Sequence, residues 1–139
     1  MTNNSTLSEK IFSNDALTSQ VKNWKEQEEK IIFTNGCFDI LHNGHLEILF
    51  AAAKLGGKLI VALNSDSSVK KIKGKLRPIN TESDRKKFLS YFNFIDGITL
   101  FHEETPYNLI KKLKPDYIVK GGDYKKEAVI GYDILKEYG

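Results

Sequence analysis

Two histidines three residues apart, His42 and His45, sit in the stretch Phe33-Thr34-Asn35-Gly36-Cys37-Phe38-Asp39-Ile40-Leu41-His42-Asn43-Gly44-His45. The β-prone run Ile31 to Thr34 precedes them and a helix-forming segment from Asn43 through Leu55 follows, so the stretch reads as strand, tight turn, helix. At such a junction the free N–H groups of the helix's first turn and its positive dipole end face the crevice beyond the strand, which makes an anion site. Imidazoles at this spacing share one side of a helical turn and can hydrogen-bond neighbouring oxygens of one ligand. Gly44 between them lets a base or phosphate approach the backbone closely, and Gly36, Cys37 and Phe38 offer main-chain N–H groups as a nest for anions. The plain alternative is a structural histidine capping the helix; two of them in one turn favour the anion site. Zinc is a poor fit, because the chain has only three His and one Cys, and His102 lies on another segment.

The elements that must position this turn follow in order. Residues 1 to about 13 are polar and expected to fray, with Ser13 or Asn14 as N-cap of a helix over 15 to about 28 whose Leu17, Val21 and Trp24 make a packing face. The helix after the His-rich turn carries Leu46, Ile48, Leu49, Phe50 and Ala51 to Ala53 and is expected to be buried, with Gly56-Gly57 as its stop. Lys58 to Leu63 is a second strand with the continuous apolar run of a parallel sheet interior. A basic loop with Lys70, Lys71, Lys73, Lys75 and Arg77 follows, and Pro78 bars helix until Thr81. Thr81-x-x-Asp84 opens the next helix, with Phe88, Leu89 and Phe92 as its buried stripe. Ile98 to Phe101 and Tyr117 to Val119 are further strands, separated by a helix with Pro106 in its first turn, and after Lys126 a last helix runs to Tyr138 with Gly139 as terminator. This alternation predicts an α/β fold with a parallel sheet covered on both faces and ligands beyond the strands' carboxyl ends.

His42-Asn43-Gly44-His45, with the Gly36-Cys37-Phe38-Asp39 turn before it, resembles the HxGH signature of the nucleotidyltransferase superfamily. The match continues through Asn64-Ser65-Asp66, Lys73-Gly74, Arg77-Pro78-Ile79-Asn80, Glu104-Thr105-Pro106 and Lys120-Gly121-Gly122-Asp123-Tyr124. In that order the series is similar to the D-glycero-D-manno-heptose 1-phosphate adenylyltransferases, over about residues 31 to 131.

The resemblance implies a Rossmann-like nucleotidyltransferase fold with strand order 3-2-1-4-5. It implies transfer of AMP from ATP to the heptose 1-phosphate, giving ADP-heptose and pyrophosphate for lipopolysaccharide or surface-glycan precursors, with Mg²⁺ accompanying ATP. Such a transfer needs no protein nucleophile, only alignment of two polyanions and neutralisation of developing charge. On this reading His42, His45 and Lys73 are catalytic, while Thr34, Asn35, Gly36, Cys37, Phe38, Gly44, Gly121, Gly122 and Asp123 bind the nucleotide. Asp39, Asn64, Lys70 and Arg77 are assigned to the substrate, with no protein-held metal. Spacing does not choose among Lys70, Lys71 and Lys73 for the phosphate contact. Asp39 is open between a sugar hydroxyl, a basic partner and a turn cap. The runner-up functions are a glycerol-3-phosphate-type cytidylyltransferase and a nucleotide-binding module without turnover. Relatives of this kind continue into a fifth strand and a Ser/Thr-rich turn that this sequence lacks, so a bare fourth-strand edge and weak ATP binding are expected.

Bulk properties bound these readings. The 139 residues, 40% of them hydrophobic, suit one folded unit, divided as an N-terminal extension and helix over 1–29 and a nucleotidyltransferase domain over 30–139. A net charge of +3 is too slight to argue for nucleic acid or a membrane surface. The lone Cys37 excludes an intramolecular disulfide and is read as a small packed thiol rather than a nucleophile. No apolar stretch is long enough for a signal peptide or a span, so a cytoplasmic protein, with a homodimer as its assembly, is expected.

Overall fold

A computed structural model describes residues 9–121 and 126–138. The elements are α1 (Asn14–Glu26), β1 (Ile31–Gly36), α2 (Asn43–Ala53), β2 (Lys58–Asn64), α3 (Asp66–Lys73), α4 (Glu82–Ser90), β3 (Gly97–Phe101), α5 (Tyr107–Leu113), β4 (Tyr117–Ile118), a 3₁₀ turn at Lys126–Ala128, and α6 (Tyr132–Tyr138). The four strands form one sheet in the order β3-β2-β1-β4, every pairing parallel. Its central strands alternate their side chains between two apolar layers. Ile31, Phe33, Ile60 and Ala62 face Leu17, Val21 and Trp24 of α1, the α5 residues Leu109, Ile110 and Leu113, and Ile134 of α6. Ile32, Leu59, Val61 and Leu63 face Leu49 and Ala52 of α2, Leu89 of α4 and Ile95. Fully burying each such aliphatic side chain stabilises the fold by ~1.5–3 kcal/mol, so the sheet is a rigid platform. The Rossmann-like architecture with β1 beside the reversal of strand order is as the sequence predicts, and the turn after β1 opens at the sheet's carboxyl edge.

Several expectations are corrected. Residues 10 to 12 do not fray: Ile11 bridges Ile98 in parallel, with Phe12 N donating to Ile98 O and Ile98 N to Lys10 O, both at 2.8 Å. This segment and α1 join the same core as β1 and α5. Lys70, Lys71 and Lys73, expected in a loop, are on α3, which starts because Ser65 Oγ caps the Ser68 N–H at 3.2 Å and which buries Val69. Helix α2 is half buried only, since a helix on a sheet buries one face: Leu49 and Ala52 point inward, while Ala51 is exposed and Phe50 is 50% exposed. The buried stripe of α4 is Arg85 and Leu89, with Phe88 turned outward. The last helix begins at Tyr132 rather than just after Lys126, beyond the 3₁₀ turn and Gly131. Gly139 lies outside the described residues.

The Gly56-Gly57 stop divides into two constraints. Gly56 has φ +82° with open space around it, whereas a Cβ at Gly57 would lie 2.5 Å from the Lys30 carbonyl oxygen. Gly56→Ala is expected to cost ~1–2 kcal/mol through its left-handed backbone, and Gly57→Ala more, because β2 must shift off Lys30. Urea denaturation of the two variants checks the order.

Candidate functional site

The site is built on the turn that carries the chain from β1 to α2. Phe38 adopts a left-handed backbone, φ 47°, and folds its ring over Gly36, where a Cβ would meet the ring at 2.9 Å. The Phe38 ring also lies against His45, with centroids 5.2 Å apart. His42 is the N-cap of α2 in extended conformation, and its Nδ1 accepts the Gly44 N–H at 3.1 Å. His45 in the first turn returns the contact, its Nδ1 accepting the His42 N–H at 3.2 Å. The rings lie face to face, 3.9 Å between centroids and 30° between planes.

These hydrogen bonds assign the tautomers. A nitrogen that accepts an N–H carries no proton, so in each neutral ring the proton is on Nε2. Capping therefore occupies one edge of each imidazole and leaves the Nε2 edge uncommitted to the backbone. Burial, the neighbouring His42 and the Lys73 ammonium all hold the His45 pKa below its ordinary 6.5. Gly44 is required by the cap itself, since a Cβ there would lie 2.9 Å from His42 Cε1.

Asp39 resolves its three alternatives in favour of a basic partner and backbone N–H groups. Its carboxylate, 4% exposed, accepts Arg77 Nε at 2.7 Å and the N–H groups of Ile79 and Asn80 at 2.8–3.0 Å. The Asn80 side-chain amide closes the link on the Asp39 carbonyl. Burial alone would raise the Asp39 pKa, but the Asn80 and Ile79 N–H groups and Arg77 overcome it and bring it down to about 2. Asp39 thus fastens the residues after α3 to the turn after β1.

Between them lies a cleft of about 700 Å³ lined by Asn35, Gly36, Cys37, Phe38, Asp39, Ile40, His42, Gly44, His45, Ile48, Lys73, Arg77, Lys120 and Gly121. Eleven of these had been assigned from sequence; Ile40, Ile48 and Lys120 had not, although Lys120 follows β4 directly. The close approach at Gly121 is made by Ile48, whose Cδ1 lies 2.3 Å from where a Cβ would be. Three assigned residues are not brought to the cleft. Thr34 is buried and its hydroxyl donates to the Val119 carbonyl, tying β1 to the end of β4. Asn64 is buried and donates to Ser68 Oγ at 3.0 Å, while Lys70 is exposed on α3. Gly122 and Asp123 lie outside the described residues. Arg85 escaped the sequence reading altogether: it is 0% exposed beneath the cleft turn. Among the described residues no group of three or more His, Cys, Asp or Glu is placed to hold a metal ion, and no helix is long and apolar enough to cross a membrane.

Residues 33–139 match the cytidylyltransferase-like family model. The chain belongs to this family. It is 50% identical over 129 residues to the bifunctional protein HldE of Wolinella succinogenes and 56% identical over 110 residues to that of Campylobacter concisus, covering 93% and 79% of this chain. The chain spans about a quarter of the length of these curated relatives, 27% and 23%. Among solved structures, the lipopolysaccharide core biosynthesis protein of Thermoplasma volcanium aligns with a TM-score of 0.66 at 34% identity, over 78% of this chain and 88% of that one.

Asp39→Asn replaces an acceptor with a donor opposite buried N–H groups and is expected to destabilise the fold by ~1–3 kcal/mol at pH 7. Because the folded pKa is depressed from 3.8 to about 2, the carboxylate's contribution is present above 3.8 and lost as pH falls toward 2. The stability gap between wild type and variant should therefore close over that window, which denaturant titration at stepped pH measures.

Proposed function

We propose that the chain transfers AMP from ATP to D-glycero-D-manno-heptose 1-phosphate, forming ADP-heptose and pyrophosphate for lipopolysaccharide or surface-glycan precursors. The observation that carries the reading is the paired imidazoles at the N-terminus of α2, sharing one cleft with Lys73, Arg77 and Lys120. Two Nε2–H donors and three cations suit a reaction in which charge builds on a transferred phosphate and a leaving pyrophosphate. The sugar phosphate is itself the nucleophile, so the site's work is alignment and charge neutralisation. The similarity to HldE proteins and to a lipopolysaccharide core biosynthesis protein supports the heptose substrate.

Mg²⁺ belongs to the substrate in this reading. Among the described residues the one carboxylate lining the cleft, Asp39, already accepts Arg77 and two backbone N–H groups, so they offer no all-protein cage. Mg²⁺ commonly keeps its waters and binds through nucleotide phosphates, whose charge it neutralises. Use of ATP assigns the work to the cytoplasm, and the expected assembly is a homodimer, which sedimentation velocity checks.

The family description favours one competing reading, a cytidylyltransferase acting on a polyol phosphate. Pyrophosphate release with ATP and with CTP, across heptose 1-phosphate and glycerol 3-phosphate, separates the two. A preference for ATP of roughly tenfold or more is expected, the scale of leaving one base-edge group unpaired; equal or greater turnover with CTP and glycerol 3-phosphate would favour the competitor. Release with neither nucleotide would leave a binding module.

The two edges of His42 can be tested apart. His42→Asn keeps an N-cap acceptor, so stability should stay within ~0.5 kcal/mol of wild type, while loss of Nε2–H should lower kcat by ~10²-fold. His45→Ala should lower kcat by ~10² as well. Near-normal kcat in both variants would sink the assignment.

A further inference from the structure

We propose that Arg85, which does not line the cleft, is a positioning residue that holds Arg77 and Lys73 in register with the two histidines; the proposal deepens the transfer reading and rests on it. Arg85 is 0% exposed, and its guanidinium reaches four acceptors on three separate segments. Nη1 donates to the carbonyls of Cys37, in the turn after β1, at 2.9 Å, and of Asn64, at the end of β2, at 2.7 Å. Nε donates to the Asn80 carbonyl at 3.1 Å, and Nη2 to Asp66 Oδ1 on α3 at 2.8 Å.

Three of the acceptors belong to segments that build the site. Cys37 lines the cleft, and Asn80 sits beside Ile79 in the segment whose N–H groups bind Asp39 and whose Arg77 forms the ion pair with it. Asp66 begins α3, the helix that ends at Lys73, and is tied to α4 by a reciprocal pair in which Asp66 N donates to Glu82 Oε1 and Glu82 N to Asp66 Oδ1. Residues 74–80 connect two helices with no regular structure of their own, yet their last residue, Asn80, is fastened to the same guanidinium that holds Asp66 at the start of α3. A planar group with five fixed donors can bridge four acceptors at once, whereas a lysine ammonium has three donors from a single point. Charge alone therefore does not replace it.

The test uses this chain with Arg85→Lys, Arg77→Gln and the double variant. In Arg85→Lys, amide hydrogen exchange at Ile79 and Asn80 is expected to accelerate at least tenfold while the β1 and β2 amides keep their rates. kcat should fall at least tenfold with KM for ATP changed less than threefold. If Arg85 acts through the segment carrying Arg77, the same substitution made on the Arg77→Gln background should cost less than threefold, a non-additivity that general destabilisation does not produce. Unchanged exchange at Ile79 and Asn80, or effects of the two substitutions that multiply, would overturn the proposal. Should Arg85→Lys not fold, Asp66→Asn retains the oxygen for the Glu82 N–H but removes the charge facing the guanidinium. Exchange at Ile79 and Asn80 about threefold faster in that variant supports the role, and wild-type exchange refutes it. Absence of turnover in the wild type would sink the transfer reading, and the exchange ratios would then decide the role of Arg85 by themselves.

Discussion

Each imidazole at the start of α2 has one nitrogen committed to the backbone, and the chemistry available to the site follows from that commitment. The Gly44 and His42 N–H groups occupy Nδ1 of His42 and His45, so both rings are held in orientation and in tautomer before any ligand arrives. A helix start normally leaves its first N–H groups to water or to a short polar side chain. Here the caps are aromatic bases whose far edges stay available. Protonating Nδ1 would break the cap, which agrees in direction with the depressed pKa of His45. At His45 the arrangement favours a neutral donor over a cation, and the permanent charges of the cleft come from other segments.

Those charges are Lys73 and Arg77, which follow β2, and Lys120, which follows β4, so the cleft draws on the chain after three neighbouring strands of one parallel sheet. Cations converging on a concave surface repel one another unless something fixes them, and Asp39 is the counterweight for Arg77. Its carboxylate is satisfied by the chain's own groups, leaving the lining electropositive toward a polyanion. A surface ion pair would contribute little. This one is worth more because Asp39 is buried and also receives two backbone N–H groups, which makes it a fastener of the loop rather than a charge on display.

What the sequence disclosed and what it hid divide along the range of the interactions. The His42–His45 turn was legible because its partners lie within three residues, and the alternation of strands and helices was legible because each apolar run is local. Helix α3 was hidden by its length and composition: eight residues, mostly Ser, Asp and Lys, with Val69 as its one buried aliphatic. Arg85 was hidden for a deeper reason. An arginine in a helix reads as solvent face, and three of its four acceptors are main-chain carbonyls, which leave no trace in residue type. The exposure of Phe50 and Ala51 was missed because periodicity says which residues are apolar, not how many faces of a helix the sheet covers.

The same contrast explains how a small sheet holds a site whose parts are distant in sequence. Apolar packing between strands and helices fixes the platform but is nearly indifferent to sub-ångström displacement of a loop above it. Directional groups with several donors or acceptors are what translate a rigid platform into a rigid loop. Asp39 and Arg85 are complementary in this respect, one a buried acceptor of N–H groups, the other a buried donor to carbonyls, and they meet on Asn80, whose N–H goes to the first and whose C=O goes to the second. With both backbone groups of one residue anchored in opposite directions, the segment behind Arg77 has little freedom to slide along the cleft, even though it contains no helix or strand to brace it.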